Sequence, residues 1–329
     1  MPVILSRRAM LQGAAAALLP VGAAAQPMPD WAETAAGLEQ LHALVVNRGG
    51  SQLFGRAFRG PPLDRPVNVK SVSKTILALL TGIAIDKGIL TGTDQLVLPL
   101  LGRSPTGDAR NGLTVGHLLS MQTGLASTSG ANYGAWVASR DWVEAALSEP
   151  EGQPGGRFIY STGGWHVLGA ALSRASGESL LALAREWLGE PLDIRIPPWV
   201  QDPQGRYLGG NEMALSPLAL ARIGDMVLAG GQIDGRRVVS TAWLQTSWQS
   251  RARSPFSGDQ YGYGWFLTRF AGHQAAYARG YGGQMLVVIP DLGASIAITS
   301  DPTEPARSEG HFGDLRTLVQ EIAAGLKRE

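Results

Sequence analysis

The chain has 329 residues, 44% of them apolar, and carries 28 Lys and Arg against 27 Asp and Glu. This balance of charge gives no reason to expect a nucleic acid or an anionic membrane as a partner. Because the sequence contains no cysteine, disulfides, thiol catalysis and thiolate zinc sites are excluded.

Residues 1–25 are typical of an export signal. Ser6-Arg7-Arg8-Ala9-Met10-Leu11 precedes an Ala- and Leu-rich run that ends in Ala23-Ala24-Ala25. This order predicts a twin-arginine signal followed by a small-residue cleavage site. Gly13, Pro20 and Gly22 interrupt the run, which is shorter than the ~20 residues that a membrane span needs. We therefore predict a periplasmic or secreted protein, exported by the twin-arginine route, without a stable membrane anchor.

The mature chain begins with a predicted helix and a hairpin. The helix is expected over residues 31–40 and the two strands over residues 43–48 and 52–58. Gly49-Gly50 between the strands is typical of a tight turn. A long helical pattern then runs from Lys74 to about Gly88, where glycine can adopt the left-handed conformation that ends a helix.

The middle of the chain is predicted to be helical. One helix is expected over residues 113–125, capped by Thr114 and closed by Gly124. We expect His117, on the apolar face of this helix, to be a hydrogen-bonded core residue and not a catalytic one. Further helices are predicted around residues 139–148, 164–175, 178–188 and 216–229.

Strand patterns return after Gly258. They are predicted over residues 261–268, 274–280, 284–289 and 294–299, and a helix over residues 312–326 follows. Since strands lie at both ends of the chain and helices in the middle, we predict an α/β fold of the α+β type. It would be one mainly antiparallel sheet from N- and C-terminal strands, flanked by helices, with an inserted all-α lobe. Residues 26–329 would form a single domain, with the sheet lobe near 26–70 and 255–329 and the helical lobe near 71–254.

Ser71-Val72-Ser73-Lys74 opens the long helix. A spacing of three residues puts the Ser71 hydroxyl and the Lys74 amine on one helix face, one turn apart. A lysine sheltered from water can take the proton of a serine if its pKa is lowered, and the helix N-terminus supplies free N–H groups. An isolated match of this kind is more often a capping serine and a solvated lysine. A functional role for Lys74 is nevertheless favoured, because lysine is rare in this chain: only four of the 28 basic residues are lysines.

Other catalytic motifs are absent from the sequence. It contains no G-x-S-x-G, no H-E-x-x-H, no G-x-x-x-x-G-K-[ST] and no G-x-G-x-x-G. The α/β-hydrolase, zinc peptidase, P-loop and dinucleotide-binding interpretations therefore lack support. The five histidines are scattered along the sequence and do not have the spacing of a metal site. We therefore expect neither a metal nor an organic cofactor.

Four segments together resemble the serine hydrolases related to class C β-lactamases and penicillin-binding proteins. They are Ser71-Val72-Ser73-Lys74, the run Leu113-Thr114-Val115-x-His117-Leu118-Leu119-x-Met121-x-Thr123-Gly124-Leu125, Tyr160-Ser161, and Ala278-Arg279-Gly280 before Gly282-Gly283. Two further runs are most similar to the esterase and 6-aminohexanoate-dimer hydrolase branch. They are Leu215-Ser216-Pro217-x-x-Leu220-Ala221-Arg222-Ile223-Gly224 and Gly280-Tyr281-Gly282-Gly283-Gln284. The resemblance covers nearly the whole mature chain in the expected order.

The resemblance implies a role for each motif. Ser71 would attack a carbonyl carbon and become acylated, while Lys74 and Tyr160 share the proton transfers. Tyr160 would pass a proton to the leaving group, and Lys74 would lower the pKa of Tyr160. The backbone N–H groups of Ser71 and Tyr281 would hold the oxyanion.

Two positions depart from the pattern of the family. Thr162 stands where the β-lactamases have an asparagine that binds the substrate's amide, and Ala278 stands where they have a lysine or histidine that suits a substrate carboxylate. Because side chains alternate along a strand, we expect Ala278 and Gly280 to face the pocket and Arg279 to point away, unless the alignment slips by one residue. Without a pocket cation, a neutral ester or amide is the favoured substrate.

The sequence thus predicts an exported serine hydrolase that cleaves a small ester or amide through an acyl-enzyme. Tyr133 and Trp136, in a polar and aromatic loop, are expected to wall the pocket, or else to cover the core. The rival enzymes are a β-lactamase and a D,D-peptidase. A rival of another class is a catalytically inactive protein that binds a ligand. The oligomeric state stays open.

Overall fold

The computed structural model describes residues 30–148 and 150–326, and the predicted export signal in residues 1–25 lies outside them. In chain order, strands β1 to β12 of this part are Leu41–Arg48, Ser51–Ala57, Val67–Asn68, Ala214–Leu215, Gln232–Ile233, Arg236–Arg237, Ala252–Arg253, Gln260–Tyr261, Phe266–Phe270, His273–Gly280, Gln284–Ile289 and Ala294–Ser300. Helices α1 to α12 are Asp30–Gly37, Val72–Asp86, Val97–Leu100, Val115–Leu119, Tyr133–Val137, Trp142–Leu147, Thr162–Ser176, Leu180–Ala184, Glu190–Leu192, Pro217–Leu228, Thr241–Ser247 and His311–Leu326.

One eight-stranded sheet organises the fold. Its strand order is β2-β1-β12-β11-β10-β9-β8-β7, and every neighbouring pair is antiparallel. The first strand, β1, pairs with the last, β12, with Val45 opposite Ala297. The prediction of a mainly antiparallel sheet from the two ends of the chain, flanked by helices, is confirmed.

Helices cover both faces of the sheet. On one face, Asp225 of α10 accepts hydrogen bonds from Asn47 Nδ2 at 2.6 Å and from Ser295 Oγ at 2.7 Å, which join the helix to β1 and β12. On the other face, the ring of Tyr277 in β10 lies 6.4 Å from that of Phe312 in α12. Because side chains alternate along a strand, the odd-numbered residues of β10, such as Tyr277, face α12, and its even-numbered residues face the opposite side of the sheet.

Helix α2 runs through the interior of the protein. All of its residues from Val72 to Ala84 are buried, and it contacts α7, β10 and β11. Lys74, the third residue of α2, is therefore enclosed by protein and cannot reach solvent along the helix surface. Within residues 30–148 and 150–326, no helix is long and apolar enough to cross a membrane.

The helix predicted over residues 113–125 is wrong in length. Helix α4 ends at Leu119, because the chain turns at Met121, which has a φ of 61°, and again at Gly124, which has a φ of 70°. His117 caps this short helix: its Nδ1 accepts from the Thr114 N–H at 3.2 Å, and its own N–H donates to Thr114 Oγ1 at 3.3 Å. His117 is therefore hydrogen-bonded as expected, but it is half-buried and does not lie in the core.

The single strand predicted over residues 261–268 is also wrong. The chain reverses within it, so that β8 and β9 pair antiparallel, with Tyr261 opposite Phe266. Gly264 in the connecting turn has a φ of 79°, a conformation that strands do not use. The alternation of apolar residues continued through the turn and hid the reversal.

Candidate active site

Ser71 lies at the N-terminus of α2, directly after a strained turn. Lys70 has a φ of 49°, which is costly for a residue with a Cβ and persists only where the surroundings fix it. The fixing contacts come from the short strand pair β3–β4: the Val69 N–H donates to Met213 O at 2.9 Å, and the Met213 N–H donates to Ser73 Oγ at 3.1 Å. Ser71 thereby lines a cavity of about 720 Å³.

The Lys74 amine lies beneath Ser71 and is held by three oxygens. Lys74 Nζ is 2.9 Å from Ser71 Oγ, 3.3 Å from Thr162 Oγ1 and 2.6 Å from Gly210 O. The residue is only 2% exposed, and no carboxylate is among these partners. Burial lowers the pKa of Lys74 from 10.5 to about 7, because the charged form loses its hydration. Near neutral pH much of the amine is therefore unprotonated, and its lone pair can accept the Ser71 proton.

Tyr160 approaches the same serine from the segment before α7. Lys74 Nζ lies over the face of the Tyr160 ring, 4.9 Å from its centre. Burial raises the pKa of Tyr160, and a hydrogen bond to Ser71 and the charge of Arg279 offset only part of the rise. The expectation that Lys74 lowers the pKa of Tyr160 is therefore wrong. Tyr160 stays protonated near neutral pH and can act as an acid while Lys74 acts as a base.

Two backbone N–H groups are free to hold an oxyanion. Among the described residues, neither the Ser71 N–H nor the Tyr281 N–H has a hydrogen-bond acceptor, and both residues line the cavity. The end of β10 lies directly against the nucleophile turn: a Cβ at Gly280 would lie 2.5 Å from Val69 O and 3.0 Å from Lys70 Cβ. Only glycine permits this approach, which brings the N–H of Tyr281 to the side of Ser71.

Thr162 completes the surroundings of the lysine. Its Oγ1 lies between Lys74 Nζ and Ser129 Oγ, at 3.3 Å and 2.9 Å, and its N–H donates to Ser129 Oγ at 2.8 Å. Thr162 also lines the cavity. It is thus bonded to Lys74, whereas the resemblance had implied a residue that contacts the substrate's amide.

The comparison with known proteins agrees with this arrangement. The sequence matches the Beta-lactamase family over residues 39–319. The chain belongs to the Beta-lactamase family. The 6-aminohexanoate-dimer hydrolase of Paenarthrobacter ureafaciens is 26% identical to it over an alignment of 302 residues, and the match covers 82% of this chain and 74% of that protein. The resemblance that the motifs indicated is therefore confirmed.

Solved structures share the fold of this Beta-lactamase family member. EstCE1, a hydrolase with promiscuous acyltransferase activity, aligns with a TM-score of 0.71 at 19% identity, covering 88% of this chain and 98% of EstCE1. A penicillin-binding protein homologue from Caulobacter crescentus aligns with a TM-score of 0.70 at 18% identity, covering 86% and 92% of the two chains. As a member of this family, the protein is a serine hydrolase, of the superfamily that includes esterases, amidases and proteins like β-lactamases and penicillin-binding proteins.

The strand beside the nucleophile differs in part from the expected alternation. Ala278 is 1% exposed and does not line the cavity, so the expectation that it faces the pocket is wrong: β10 is covered there by α2. Arg279 projects to the opposite face, where its guanidinium carbon lies 3.5 Å from the centre of the Phe312 ring. Arg279 is nevertheless among the residues that line the cavity, together with Gly280 and Tyr281. The pocket wall therefore does include a cation.

The two aromatic residues expected at the wall have different positions. Tyr133 lines the cavity, and its hydroxyl accepts a hydrogen bond from Asn211 Nδ2 at 3.2 Å. Trp136 is 4% exposed and packs in a cluster with Trp142 and Leu208, so the placement of Trp136 in the pocket wall is wrong. Helix α5 turns one aromatic residue outward and the other inward.

Several cavity residues carry no motif and were missed. Asn211 and Glu212 precede β4, and Glu212 Oε1 accepts from Lys70 Nζ at 3.0 Å. Phe256 lies at the mouth and is 69% exposed. The remaining wall is formed by Ser127, Ser129, Gly130, Ser254, Phe266, Ala306, Arg307 and Ser308. Within the described residues, no group of three or more His, Asp or Glu side chains is arranged to hold a metal ion.

The buried lysine predicts a pH-dependent stability. Because the pKa of Lys74 is about 7 in the folded protein against 10.5 for a free amine, the unfolded state binds more protons between these two pH values. The cost of burying the amine is thus fully present at and below a pH of about 7 and fades toward about 10. We expect Lys74→Met to raise the free energy of unfolding relative to wild type at acid pH, and this gain to shrink as the pH rises. Denaturant unfolding at a series of pH values measures the trend.

Lys87→Met is the matched control for this prediction, because Lys87 lies exposed at the other end of the same helix. It should show no such trend. A constant difference between Lys74→Met and wild type from about pH 6 to about pH 10 would contradict a lowered pKa for Lys74.

Proposed function

We propose that the protein cleaves a small ester or amide through an acyl-enzyme formed on Ser71. The observation that carries the proposal is the buried Lys74 amine, whose pKa is about 7 and whose Nζ lies 2.9 Å from Ser71 Oγ. A nucleophile and a base within hydrogen-bond reach, with the base tuned to neutral pH, are what serine acylation requires.

Acylation begins when Ser71 Oγ attacks the carbonyl carbon of the substrate and its proton passes to Lys74 Nζ. The negative charge that develops on the carbonyl oxygen is held by the N–H groups of Ser71 and Tyr281. Removing one such donor costs about 2.7–4 kcal/mol of transition-state stabilisation in serine hydrolases. The free state of both groups in the structure supports this assignment.

Collapse of the tetrahedral intermediate requires a proton for the leaving alcohol or amine. Tyr160 supplies it, because its raised pKa keeps the phenol protonated, and the Lys74 ammonium beside its ring then returns the proton that came from Ser71. In deacylation, water attacks the carbonyl carbon of the acyl-enzyme and gives a proton to Lys74 Nζ; the Lys74 ammonium then protonates Ser71 Oγ, which leaves as the acid product is released. The cycle returns every group to its starting state.

The cavity wall supports a small substrate with an apolar part. Its volume of about 720 Å³ falls in the range of small-molecule pockets, and Tyr133, Phe256, Phe266 and Tyr281 contribute aromatic surface. The relative from Paenarthrobacter ureafaciens is named for the hydrolysis of 6-aminohexanoate dimer, which supports an amide as well as an ester among the substrates to be tested.

A second candidate is the hydrolysis of an acidic substrate such as a β-lactam. The observation in its favour is the charge of the wall, where Lys70, Arg279 and Arg307 meet a single carboxylate, Glu212. Because Lys70 is paired with Glu212, the cations left to attract a substrate carboxylate are Arg279 and Arg307.

The acyl-enzyme is tested with Ser71→Ala. Wild type is expected to gain one acyl or phosphonyl group from p-nitrophenyl acetate or a fluorophosphonate, and Ser71→Ala none, since it lacks the hydroxyl that would carry the adduct. Intact-protein mass spectrometry measures this gain. Ser308→Ala, which also removes a cavity hydroxyl, is the control and should label as wild type does.

The same measurement with penicillin G separates the candidates. Rapid turnover of the ester with no penicilloyl adduct favours the esterase or amidase, whereas turnover of penicillin favours the β-lactamase and a persistent adduct the peptidase. Full labelling of Ser71→Ala, or no labelling of wild type by any reagent, would contradict the proposal and favour a ligand-binding protein.

The acid role of Tyr160 is tested by the leaving group. We expect Tyr160→Phe to lower kcat/KM for an alkyl ester or amide by about 10²–10⁴-fold, because these leaving groups need a proton. A p-nitrophenyl ester should lose far less, since nitrophenolate leaves without one. Tyr133→Phe, another cavity tyrosine, is the control. Equal losses for both kinds of ester would argue against Tyr160 as the acid.

A further inference from the structure

His166 and Asp202 form a fully buried pair behind the proposed active site. Both side chains are 0% exposed, and His166 Nε2 lies 3.0 Å from Asp202 Oδ2. The edges of Trp136 and Trp142 pack against the imidazole ring, with centroids at 6.0 Å and 5.5 Å. Neither residue of the pair lines the cavity, so neither contacts a substrate. The proposed reaction gives this pair no role.

The hydrogen bonds of the pair define the tautomer of the histidine. His166 Nδ1 accepts from the Gly209 N–H at 3.3 Å, so the ring proton resides on Nε2 and is donated to Asp202. Asp202 is itself anchored, because its Oδ1 accepts from the Gln204 N–H at 2.9 Å and the Arg206 N–H at 2.8 Å. Burial alone would raise the pKa of Asp202, but the hydrogen bonds from His166 and Arg206 outweigh it and lower the pKa.

The backbone that His166 holds is the backbone that holds Lys74. Gly210 follows Gly209, and Gly210 O accepts from Lys74 Nζ at 2.6 Å, the shortest contact of the amine. The segment is wedged against α7, since a Cβ at Gly210 would lie 2.6 Å from Trp165 Cβ. Contacts therefore run without a gap from Asp202 through His166 and Gly209 to the carbonyl beside Lys74.

The direction of the lysine's lone pair depends on this carbonyl. An unprotonated amine has two N–H donors and one lone pair. When the donors bond to Gly210 O and Thr162 Oγ1, the lone pair is left for the Ser71 hydroxyl. If Gly210 O moved away, the amine could rotate, and its lone pair would no longer point at the Ser71 hydroxyl. A displacement of about 1 Å in such a group can cost about 100-fold in rate.

We propose that His166 is a positioning residue for Lys74: by accepting the Gly209 N–H it fixes the Gly210 carbonyl, and so directs the lone pair of the amine at Ser71. The inference rests on the proposed function, in which Lys74 is the base. Asp202 serves it by fixing the tautomer and orientation of the ring, and Arg206 is the cation that faces Asp202, with Nη1 at 3.4 Å from Oδ2.

Three substitutions of His166 separate its two hydrogen bonds. His166→Asn keeps an oxygen near the position of Nδ1, which can accept from Gly209, whereas His166→Gln keeps a nitrogen near the position of Nε2, which can donate to Asp202. His166→Leu keeps neither. Trp142→Phe is the control, because Trp142 packs on the same ring while its indole N–H donates to Val137 O, away from the backbone that His166 holds. For each variant, kcat/KM for a p-nitrophenyl ester is measured from about pH 5 to about pH 9, beside the thermal midpoint.

We expect His166→Leu and His166→Gln to lose about 10- to 100-fold in the plateau of kcat/KM, and His166→Asn to retain most of it. The midpoint of the acidic limb, near 7 in wild type, should fall in the first two variants, because Gly210 O favours the ammonium. Tyr160 is the other titratable group on the amine, and it is unchanged in all of them.

The comparison of Asn with Gln keeps the inference falsifiable even if His166→Leu fails to fold. If His166→Gln is as active as His166→Asn, or if the losses simply follow the thermal midpoint in all variants, the positioning role is overturned. Failure of the proposed function looks different: wild type itself would then form no adduct on Ser71.

Discussion

The structure depends on the burial of one amine. Helix α2 is enclosed by protein from Val72 to Ala84, so the lysine on its first turn is surrounded by protein on every side. Water is replaced by three neutral oxygens, from Ser71, Thr162 and Gly210, which satisfy its hydrogen bonds without balancing a charge. This lowers the pKa of Lys74 to about 7, while the same burial raises that of Tyr160. One low-dielectric site thus leaves much of the Lys74 amine unprotonated near neutral pH and keeps Tyr160 protonated, which are the states that the proposed base and acid require.

The sheet contributes the second backbone N–H group of the proposed oxyanion site. In the proposed oxyanion site, the N-terminus of α2 offers the N–H of Ser71, and the second donor is the N–H of Tyr281, which directly follows β10. The missing side chain of Gly280 allows the two segments to touch. Residues 273–277 of β10 pair with β9, and its last residues pair with β11 up to Gly280 opposite Gln284, so the end of the strand cannot shift without breaking that ladder. The position of β10 in the sheet therefore determines where Tyr281 lies relative to Ser71.

The features of the fold and the site that depend on neighbouring residues, such as helical spacing and turns, could be predicted from the sequence. The spacing of Ser71 and Lys74 fixed their common helix face, and Gly49-Gly50 lie in a turn with φ values of 58° and 79°, as expected. What failed depended on contacts between distant segments. Trp136 is buried because Trp142 and Leu208 meet it, and Ala278 is covered because α2 packs on β10. A hydrophobic pattern indicates which face of a helix or strand is buried, but it does not indicate which other segment packs against that face. The same limit hid the His166–Asp202 pair, whose residues are 36 positions apart and belong to no motif.

The most direct test of the account is the pH dependence of the rate at which a fluorophosphonate labels Ser71. Fluoride leaves with little help from an acid, so this rate isolates the proton transfer from Ser71 to Lys74. If Lys74 is the base, the labelling rate rises through a pH of about 7 and is then flat, as a lysine with a pKa of about 7 loses its proton. A rate that still climbs toward 10.5, where an exposed lysine titrates, or one that does not change with pH, would contradict Lys74 as the base.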